Sequence, residues 1–188
     1  MTTSSDSDWQ TLSVEEIYDN PWITLTHRNV IAPTGKAGIY GKVHFKTRAI
    51  GVVPIDADGY TWLVGQYRYT LDQYHWEIPE GGAPLGESAL AAAQRELREE
   101  TGITAARWTS LLQLHTSNSV TDELAHTFVA QDLSFGETDP DDTEVLQLKR
   151  LPLEEAINLA IDGAITDSLA LASLLKVRIL LDRGLLTI

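Results

Sequence analysis

The hydrophobic positions follow two different periods along the chain. Runs in which apolar residues alternate with polar ones, or form short continuous stretches between turn residues, predict β-strands. The predicted strands are 22–32, 39–45, 49–55, 61–67, 111–116, 125–130 and 144–149. Helical spacing and end signals predict helices over 87–101, 152–162 and 167–183. Strands before, between and after helices indicate an α/β domain with a mixed sheet.

Two hairpins are predicted near the start of this pattern. The first joins strands 22–32 and 39–45 through a turn rich in proline and glycine. The second joins strand 49–55, a nearly continuous apolar run, to strand 61–67, and we predict that both lie in the main sheet. We therefore divide the chain into three segments. They are a flexible tail (1–13), an antiparallel strand arm (14–45) and the main domain (46–188).

Length and charge restrict the classes of function. The chain has 188 residues, enough for one domain with a sizeable core. Its 14 Lys and Arg against 27 Asp and Glu give a net charge of −13, which disfavours nucleic acid and anionic membranes as partners. It has no cysteine, which excludes disulfides and thiolate metal sites. The start of the sequence does not resemble a signal peptide, and no apolar stretch reaches the roughly 20 residues of a membrane span, so we expect a cytoplasmic protein.

The densest cluster of charge lies on the predicted helix 87–101. Glu96 and Glu100 share one helical face, and Glu99 lies close beside it. Arg95 is the obvious partner for these carboxylates, whereas Arg98 is expected to point away from them. Three neighbouring negative charges repel each other, so the cluster favours a bound cation. Carboxylate oxygens suit Mg²⁺, with Mn²⁺ as the alternative.

The spacing around this helix resembles the Nudix box over residues 81–103. The nine constrained positions of that motif are occupied by Gly81, Glu87, Arg95, Glu96, Leu97, Glu99, Glu100, Gly102 and Ile103. The resemblance implies a Nudix-type α/β/α sandwich with the strand arm added at its N-terminus. It also implies Mg²⁺-dependent hydrolysis of a nucleoside diphosphate linked to another group.

The same resemblance implies a role for individual residues. Glu96 and Glu100 would bind the metal, while Glu99 would bind a further metal or orient the attacking water. The backbone carbonyl of Glu80 would complete a metal site, and Arg95 would orient the glutamates. The glycine-rich loop 81–86 lets the backbone approach the phosphates.

Residues outside the box resemble the ADP-ribose and nucleoside diphosphate sugar pyrophosphatases. The segments that carry this likeness are 66–69, 76–79 and 114–123. Many ADP-ribose pyrophosphatases have a Ser-Pro-Gly turn where this chain has Ser-Asn-Ser at 117–119, which favours a broader nucleotide-sugar hydrolase. The substrates considered are ADP-ribose, GDP-mannose and ADP- or UDP-sugars. The products would be a nucleoside monophosphate and a sugar phosphate.

Three residues outside the box are candidates for substrate binding. Arg68 would contact a phosphate or the sugar, and Glu77 would accept a hydrogen bond from a sugar hydroxyl; the alternative for both is an ion pair at a strand end. Trp22 would stack on a base, or belong simply to a core or an interface. The family resemblance further implies a homodimer built on the arm, with residues lent to the partner's site.

Catalysis in this branch of the family usually needs a carboxylate from a loop after the box. Glu144 is our choice in the acidic segment 137–144 because it stands where the loop meets a strand, and Asp141 is the alternative. Either would bind a metal or take a proton from the attacking water.

Two other functions remain open from the sequence. One is a nucleotide-sugar sensor without catalytic activity. A sensor that binds no metal would have little need for the three glutamates of the helix. The other is a nucleoside triphosphate or capped-RNA pyrophosphatase, which the acidic balance and the arm make a poorer fit.

Overall fold

The computed structural model describes residues 8–139 and 145–188. Its strands are β1 (Gln10–Asp19), β2 (Ile23–Ile31), β3 (Ala37–Phe45), β4 (Thr47–Pro54), β5 (Tyr60–Arg68), β6 (Gln73–Glu77), β7 (Glu80–Pro84), β8 (Ile103–His115), β9 (Leu124–Phe135) and β10 (Gln147–Pro152). Its helices are α1 (Ala89–Thr101), α2 (Leu153–Ile161) and α3 (Ser168–Asp182). The chain forms two compact units. The arm unit extends up to Thr47 and includes His115–Glu123, and the main unit comprises Arg48–Leu114 and Leu124–Ile188.

The arm unit is a three-stranded antiparallel sheet in the order β1-β2-β3. The segment His115–Glu123 is bound to β3 through the Asp122 carboxylate. This carboxylate lies 2.7 Å from Lys42 Nζ and 2.8 Å from His44 Nδ1, and it accepts a hydrogen bond from Phe45 N at 3.1 Å. Burial opposes ionisation of this carboxyl, but the hydrogen bonds outweigh that effect and lower the pKa of Asp122 to about 2.

The antiparallel arm predicted from sequence is confirmed, and its first strand was missed. Strand β1 begins at Gln10, so residues 10–13 of the predicted tail are part of a strand. The register of β1 against β2 shifts between Thr11 and Ser13 and again between Glu16 and Tyr18. Each shift breaks the alternation of apolar and polar residues that identifies a strand, so the sequence signal for β1 is weak.

The main unit contains two sheets, in the orders β7-β4-β9-β8 and β10-β5-β6. Strands β4 and β9 are parallel, whereas β5 pairs antiparallel with both β10 and β6. The prediction that β4 and β5 share the main sheet is therefore wrong. Both strands have a mostly apolar, buried stretch, 50–54 in β4 and 61–65 in β5, so their sequences indicate burial but do not specify which strand lies beside them.

Alternate residues of β4 pack on opposite sides of its sheet, as a layered α/β arrangement requires. Ile50 and Val52 join the apolar cluster that contains Leu97 of α1. Val53 joins the second cluster, with residues of α2 and α3 such as Leu174. The α/β class and the three-layer arrangement predicted from sequence are confirmed in this unit.

The three helices begin and end within two residues of their predicted bounds. Ser88 Oγ accepts from Ala91 N at the start of α1, and Asp167 Oδ1 accepts from Ala170 N at the start of α3. Gly102 ends α1 in the left-handed conformation with φ of 69°. None of the helices in the described part of the chain combines the length and apolar character needed to cross a membrane.

Candidate active site

The predicted metal-binding segment folds as strand β7, a glycine-rich turn and helix α1. Strand β7 is held at its start because Val52 N donates to the carbonyl of Pro79 at 2.9 Å. The next residue, Glu80, donates its backbone N–H to Glu100 Oε2 at 3.0 Å. The last turn of α1 is thereby fixed to the start of β7, and the Glu100 side chain is buried between them, with 3% of the residue exposed.

Gly81 brings the backbone of β7 into contact with the Glu96 carboxylate. A Cβ atom at position 81 would lie 2.2 Å from Glu96 Cδ and 2.4 Å from both of its carboxylate oxygens. No side chain fits in that space while Glu96 keeps its position. The spacing from Gly81 to Glu96 in the box therefore corresponds to a direct contact in the fold.

Arg95 binds three carboxylates and one carbonyl. Its guanidinium group lies 2.7 Å from Glu96, 3.0 Å from Glu87 and 3.1 Å from Glu99, and it donates to the carbonyl of Gly82 at 2.8 Å. The hydrogen bonds to these acidic side chains, with that to Glu87 foremost, raise the pKa of Arg95 above its usual value. Arg95 thus orients the glutamates in the structure.

Arg98 is closer to the acidic cluster than the sequence suggested. Its Nη2 donates to Glu99 Oε1 at 3.1 Å, so the prediction that it points away from the carboxylates is wrong. Glu99 consequently lies between two guanidinium groups, those of Arg95 and Arg98.

Arg68, at the end of β5, forms a second basic centre. Its Nε and Nη2 bind both carboxylate oxygens of Glu77 at 2.5–3.0 Å, and Nη2 also lies 2.6 Å from Glu80. Burial lowers the pKa of Arg68, but the hydrogen bonds and negative charges of these two glutamates outweigh it and raise the pKa overall. The ion pair that was the alternative for Arg68 and Glu77 is present, and their contact with substrate stays a prediction.

Asp167 belongs to an acidic cluster that the sequence did not predict. One carboxylate oxygen from each of Glu77, Glu80 and Asp167 lies within 4.8 Å of the other two. Burial raises the pKa of Glu80 well above its usual value, and the charges of Asp167 and Glu77 add to the rise while Arg68 opposes it. The sequence signal at Asp167 is that of a helix cap, which carries no indication of its distant neighbours.

The segment that follows β9 returns to the end of α1. Gly136 N donates to the carbonyl of Gly102, and Asp139 N donates to the carbonyl of Glu99, both at 2.8 Å. The two candidate catalytic carboxylates, Glu144 and Asp141, lie outside the described residues.

Trp22 belongs to the arm unit, in the turn between β1 and β2, and is 68% exposed. Its exposure shows that it is not a core residue of that unit. Stacking on a base therefore stays a prediction, together with a role in an interface.

The donor set fits a hard divalent cation. Glu96, Glu99 and Glu100 offer carboxylate oxygens, the ligand type preferred by Mg²⁺ and Mn²⁺. The close approach of Gly81 to Glu96 also places the backbone of β7 beside this carboxylate. We conclude that the residues present are suited to the metal that the sequence motif implies.

The fold and this site define a hydrolase of the Nudix class. The family model of the NUDIX domain matches residues 45–172, and the model of the nucleoside diphosphate sugar hydrolase N-terminal domain matches residues 9–43. The chain belongs to the Nudix family, as its box indicated.

Similar proteins carry related descriptions. The ADP-ribose pyrophosphatase of Bacillus subtilis is 32% identical over 161 residues, which are 85% of this chain and 86% of that protein. The ADP-ribose pyrophosphatase of Mycobacterium tuberculosis is 31% identical over 179 residues, or 92% of this chain and 84% of that protein. A crystal structure of an ADP compounds hydrolase superposes with a TM-score of 0.84 at 27% identity, over 98% of this chain and 100% of the other.

Gly81→Ala tests the contact with Glu96. The added methyl group would displace the carboxylate, a flexible side chain, so we expect hydrolysis to fall at least about 10-fold while the melting temperature changes little. Steady-state kinetics and thermal unfolding measure the two effects. The matched control is Gly41→Ala, where a Cβ meets no atom within 4 Å. Equal activity of the two variants would contradict a functional role for the contact.

Proposed function

We propose that this chain hydrolyses the diphosphate linkage of nucleoside diphosphate sugars to a nucleoside monophosphate and a sugar phosphate, with Mg²⁺ as cofactor. The observation that carries the proposal is the preorganised set of box carboxylates. Glu96 lies against Gly81, Glu100 accepts from the backbone of Glu80, and Arg95 holds Glu96 and Glu99. A sensor that only bound nucleotide sugars would not need this arrangement.

Glu96 and Glu100 would hold the metal, together with Glu99 and the backbone carbonyl of Glu80. Mn²⁺ is the alternative ion. A divalent cation in such a site supplies two effects, namely neutralisation of phosphate charge and a lower pKa for a bound water. These side chains are oriented before any ligand binds, because their hydrogen bonds lie within the protein.

The remaining roles fall to residues around the box. Glu99 would orient the attacking water, and the loop carboxylate, Glu144 in preference to Asp141, would accept its proton or bind a further metal. Arg68 and Glu77 would bind the substrate's phosphate or sugar at the edge of the site. Since Arg68 also holds Glu77 and Glu80, it would orient these two carboxylates as well.

The names of the similar proteins support this class of substrate. ADP-ribose pyrophosphatases match most of this chain, and so does an ADP compounds hydrolase structure. An RNA pyrophosphohydrolase of Caulobacter vibrioides is 46% identical, but over 55 residues, or 29% of this chain. The capped-RNA alternative is therefore less well supported than the nucleotide-sugar one.

A panel of nucleotide sugars tests the proposal. We expect turnover of one or more of ADP-ribose, GDP-mannose and ADP- or UDP-sugars in the presence of Mg²⁺. Phosphate released by alkaline phosphatase from the products measures the reaction, because the intact diphosphate esters resist that enzyme. Binding of these compounds without turnover would instead identify a sensor, and turnover confined to nucleoside triphosphates or capped RNA would identify the other alternative.

Glu100→Gln is the internal control for this assay. Removing the negative charge weakens metal binding, so we expect turnover to fall by orders of magnitude. The fold should persist, with equal or slightly higher stability in the absence of metal, because one repulsive charge is lost. Activity near that of the parent protein would contradict the assignment of the metal site.

Glu144→Gln tests the catalytic carboxylate. We expect kcat to fall by about 10² to 10⁴ with little change in KM, the range usual for a positioned proton-transfer group. Asp141→Asn and Asp142→Asn are the matched controls and should have milder effects on steady-state kinetics. Loss of activity in Asp141→Asn beside a nearly normal Glu144→Gln would transfer the role to Asp141.

We also propose that the chain forms a homodimer through the arm unit. Every described residue of β1 is exposed, and the large apolar side chains exposed in this unit include Leu12, Val14, Ile17, Tyr18, Trp22 and Ile39. A three-stranded sheet with such a surface is more apolar than an isolated monomer usually exposes. The arm would then lend residues, Trp22 among them, to the partner's site.

Light scattering at micromolar concentration tests the dimer. We expect the mass of two chains, and we expect Ile39→Asp to shift it toward one chain, because a charge at the interface is costly to bury. Ile161→Asp is the matched control, since Ile161 is 59% exposed on α2 of the main unit. A fully active monomeric parent protein would contradict both the dimer and the shared site.

A further inference from the structure

A cavity of about 870 Å³ lies in the main unit, away from the box. It is bordered by the turn after β4, the second half of β9 and Arg150 of β10, and none of its described lining residues belongs to the segment 81–103. The cavity is also distant from Arg68 of the candidate active site. Trp62, which lines the cavity, lies six residues before Arg68 on β5, a distance of about 20 Å at 3.3 Å per residue. The volume is in the range of small-molecule sites.

One wall of the cavity is an aromatic pair, in which Trp62 is nearly buried and Phe135 presents its ring to the cavity. The rings of Trp62 and Phe135 have centroids 5.4 Å apart and planes inclined at 42°. Phe135 is 64% exposed, so most of its ring is in contact with solvent and not with protein. Aromatic walls of this kind favour a flat ring, which stacks on them with its faces or edges.

Gln131 provides a hydrogen-bonding group at the cavity. The residue is 3% exposed, and its Nε2 donates to the carbonyl of Thr187 at 2.8 Å. Its Oε1 is buried, and within residues 8–139 and 145–188 no donor reaches it. Because buried polar atoms are nearly always paired, this acceptor calls for a donor, and a small rotation of the side chain toward the cavity would let a ring N–H or an exocyclic amino group supply it.

The charges of the lining disfavour an anionic ligand. Arg150 lies 2.6 Å from Asp56, and Arg107 lies 3.1 Å from Asp132, so both guanidinium groups already have carboxylate partners. Asp58 also lines the cavity, which gives three carboxylates to two guanidinium groups and an excess of one negative charge. A phosphate would have to compete with these carboxylates, whereas sugar hydroxyls can donate to them.

We infer that this cavity binds an uncharged nucleoside, with its base against Phe135 and its sugar toward the carboxylates. A nucleoside is neither a substrate nor a product of diphosphate hydrolysis, so the site is separate from the proposed reaction. It needs no metal, because no carboxylate of the box takes part. Binding and turnover can therefore be tested independently.

Isothermal titration of adenosine into the metal-free protein tests the inference. We expect saturable binding at one site per chain, weakened roughly 3- to 10-fold by Phe135→Ala, which removes the stacking ring. Phe135→Trp keeps an aromatic ring and should retain binding. Ile161→Ala, which removes an exposed apolar side chain outside the cavity, is the matched control and should bind like the parent protein.

Further titrations separate the cavity from the catalytic site. Glu100→Gln should bind adenosine as the parent protein does, and AMP should bind less tightly than adenosine. The inference is overturned if adenosine does not bind, if Phe135→Ala binds it unchanged, or if Glu100→Gln abolishes binding. AMP binding more tightly than adenosine would overturn the assignment to an uncharged ligand. Failure of the nucleotide-sugar assay, in contrast, would leave these titrations unaffected.

Discussion

The candidate site depends on the charge of the Arg95 guanidinium group. Neighbouring carboxylates repel each other, by roughly 1 to 4 kcal/mol per pair at 4 Å in water-like to surface-like surroundings and by less at longer separations. Arg95 lies within 3.1 Å of Glu87, Glu96 and Glu99, so one cation offsets several such repulsions at once. Its contact with the Gly82 carbonyl also joins α1 to the preceding turn. Helix and turn are therefore held together by the same group that orients the carboxylates.

A second cation divides the acidic region into two parts. Arg68 holds Glu77 and Glu80 on the side of β5 and β6, while Arg95 holds the carboxylates of α1. The hydrogen bond from Glu80 N to Glu100 connects the two parts. An acidic site in which each side chain is already fixed loses little further freedom when it binds a ligand, which is the physical basis of preorganisation.

The sequence predicted those features that depend on near neighbours along the chain. Helix ends and the spacing of the box glutamates are local, and the structure places Glu96 and Glu100 on α1 within its predicted bounds. The sheet assignment of β4 and β5 failed because pairing partners are distant in sequence, and β1 was missed because its register shifts disturb the alternation. Asp167 was not predicted because its neighbours in the fold are also distant in sequence. It reaches Glu80 from 87 positions further along the chain, and its own surroundings in sequence indicate a helix cap alone.

Gly81 and Gly102 of the box exclude a side chain for different reasons. At Gly81 the obstructing atoms belong to the Glu96 carboxylate, which can rotate away, so a side chain there would alter the site more than the fold. At Gly102 a Cβ would lie 2.4 Å from the carbonyl oxygen of Gly136, and φ is 69°, so both backbone strain and a backbone clash oppose any other residue. Backbone atoms cannot move without shifting the end of α1 against the segment after β9. The lack of a side chain at Gly81 therefore lets the Glu96 carboxylate keep its position. The lack of a side chain at Gly102 lets α1 pack against the segment after β9.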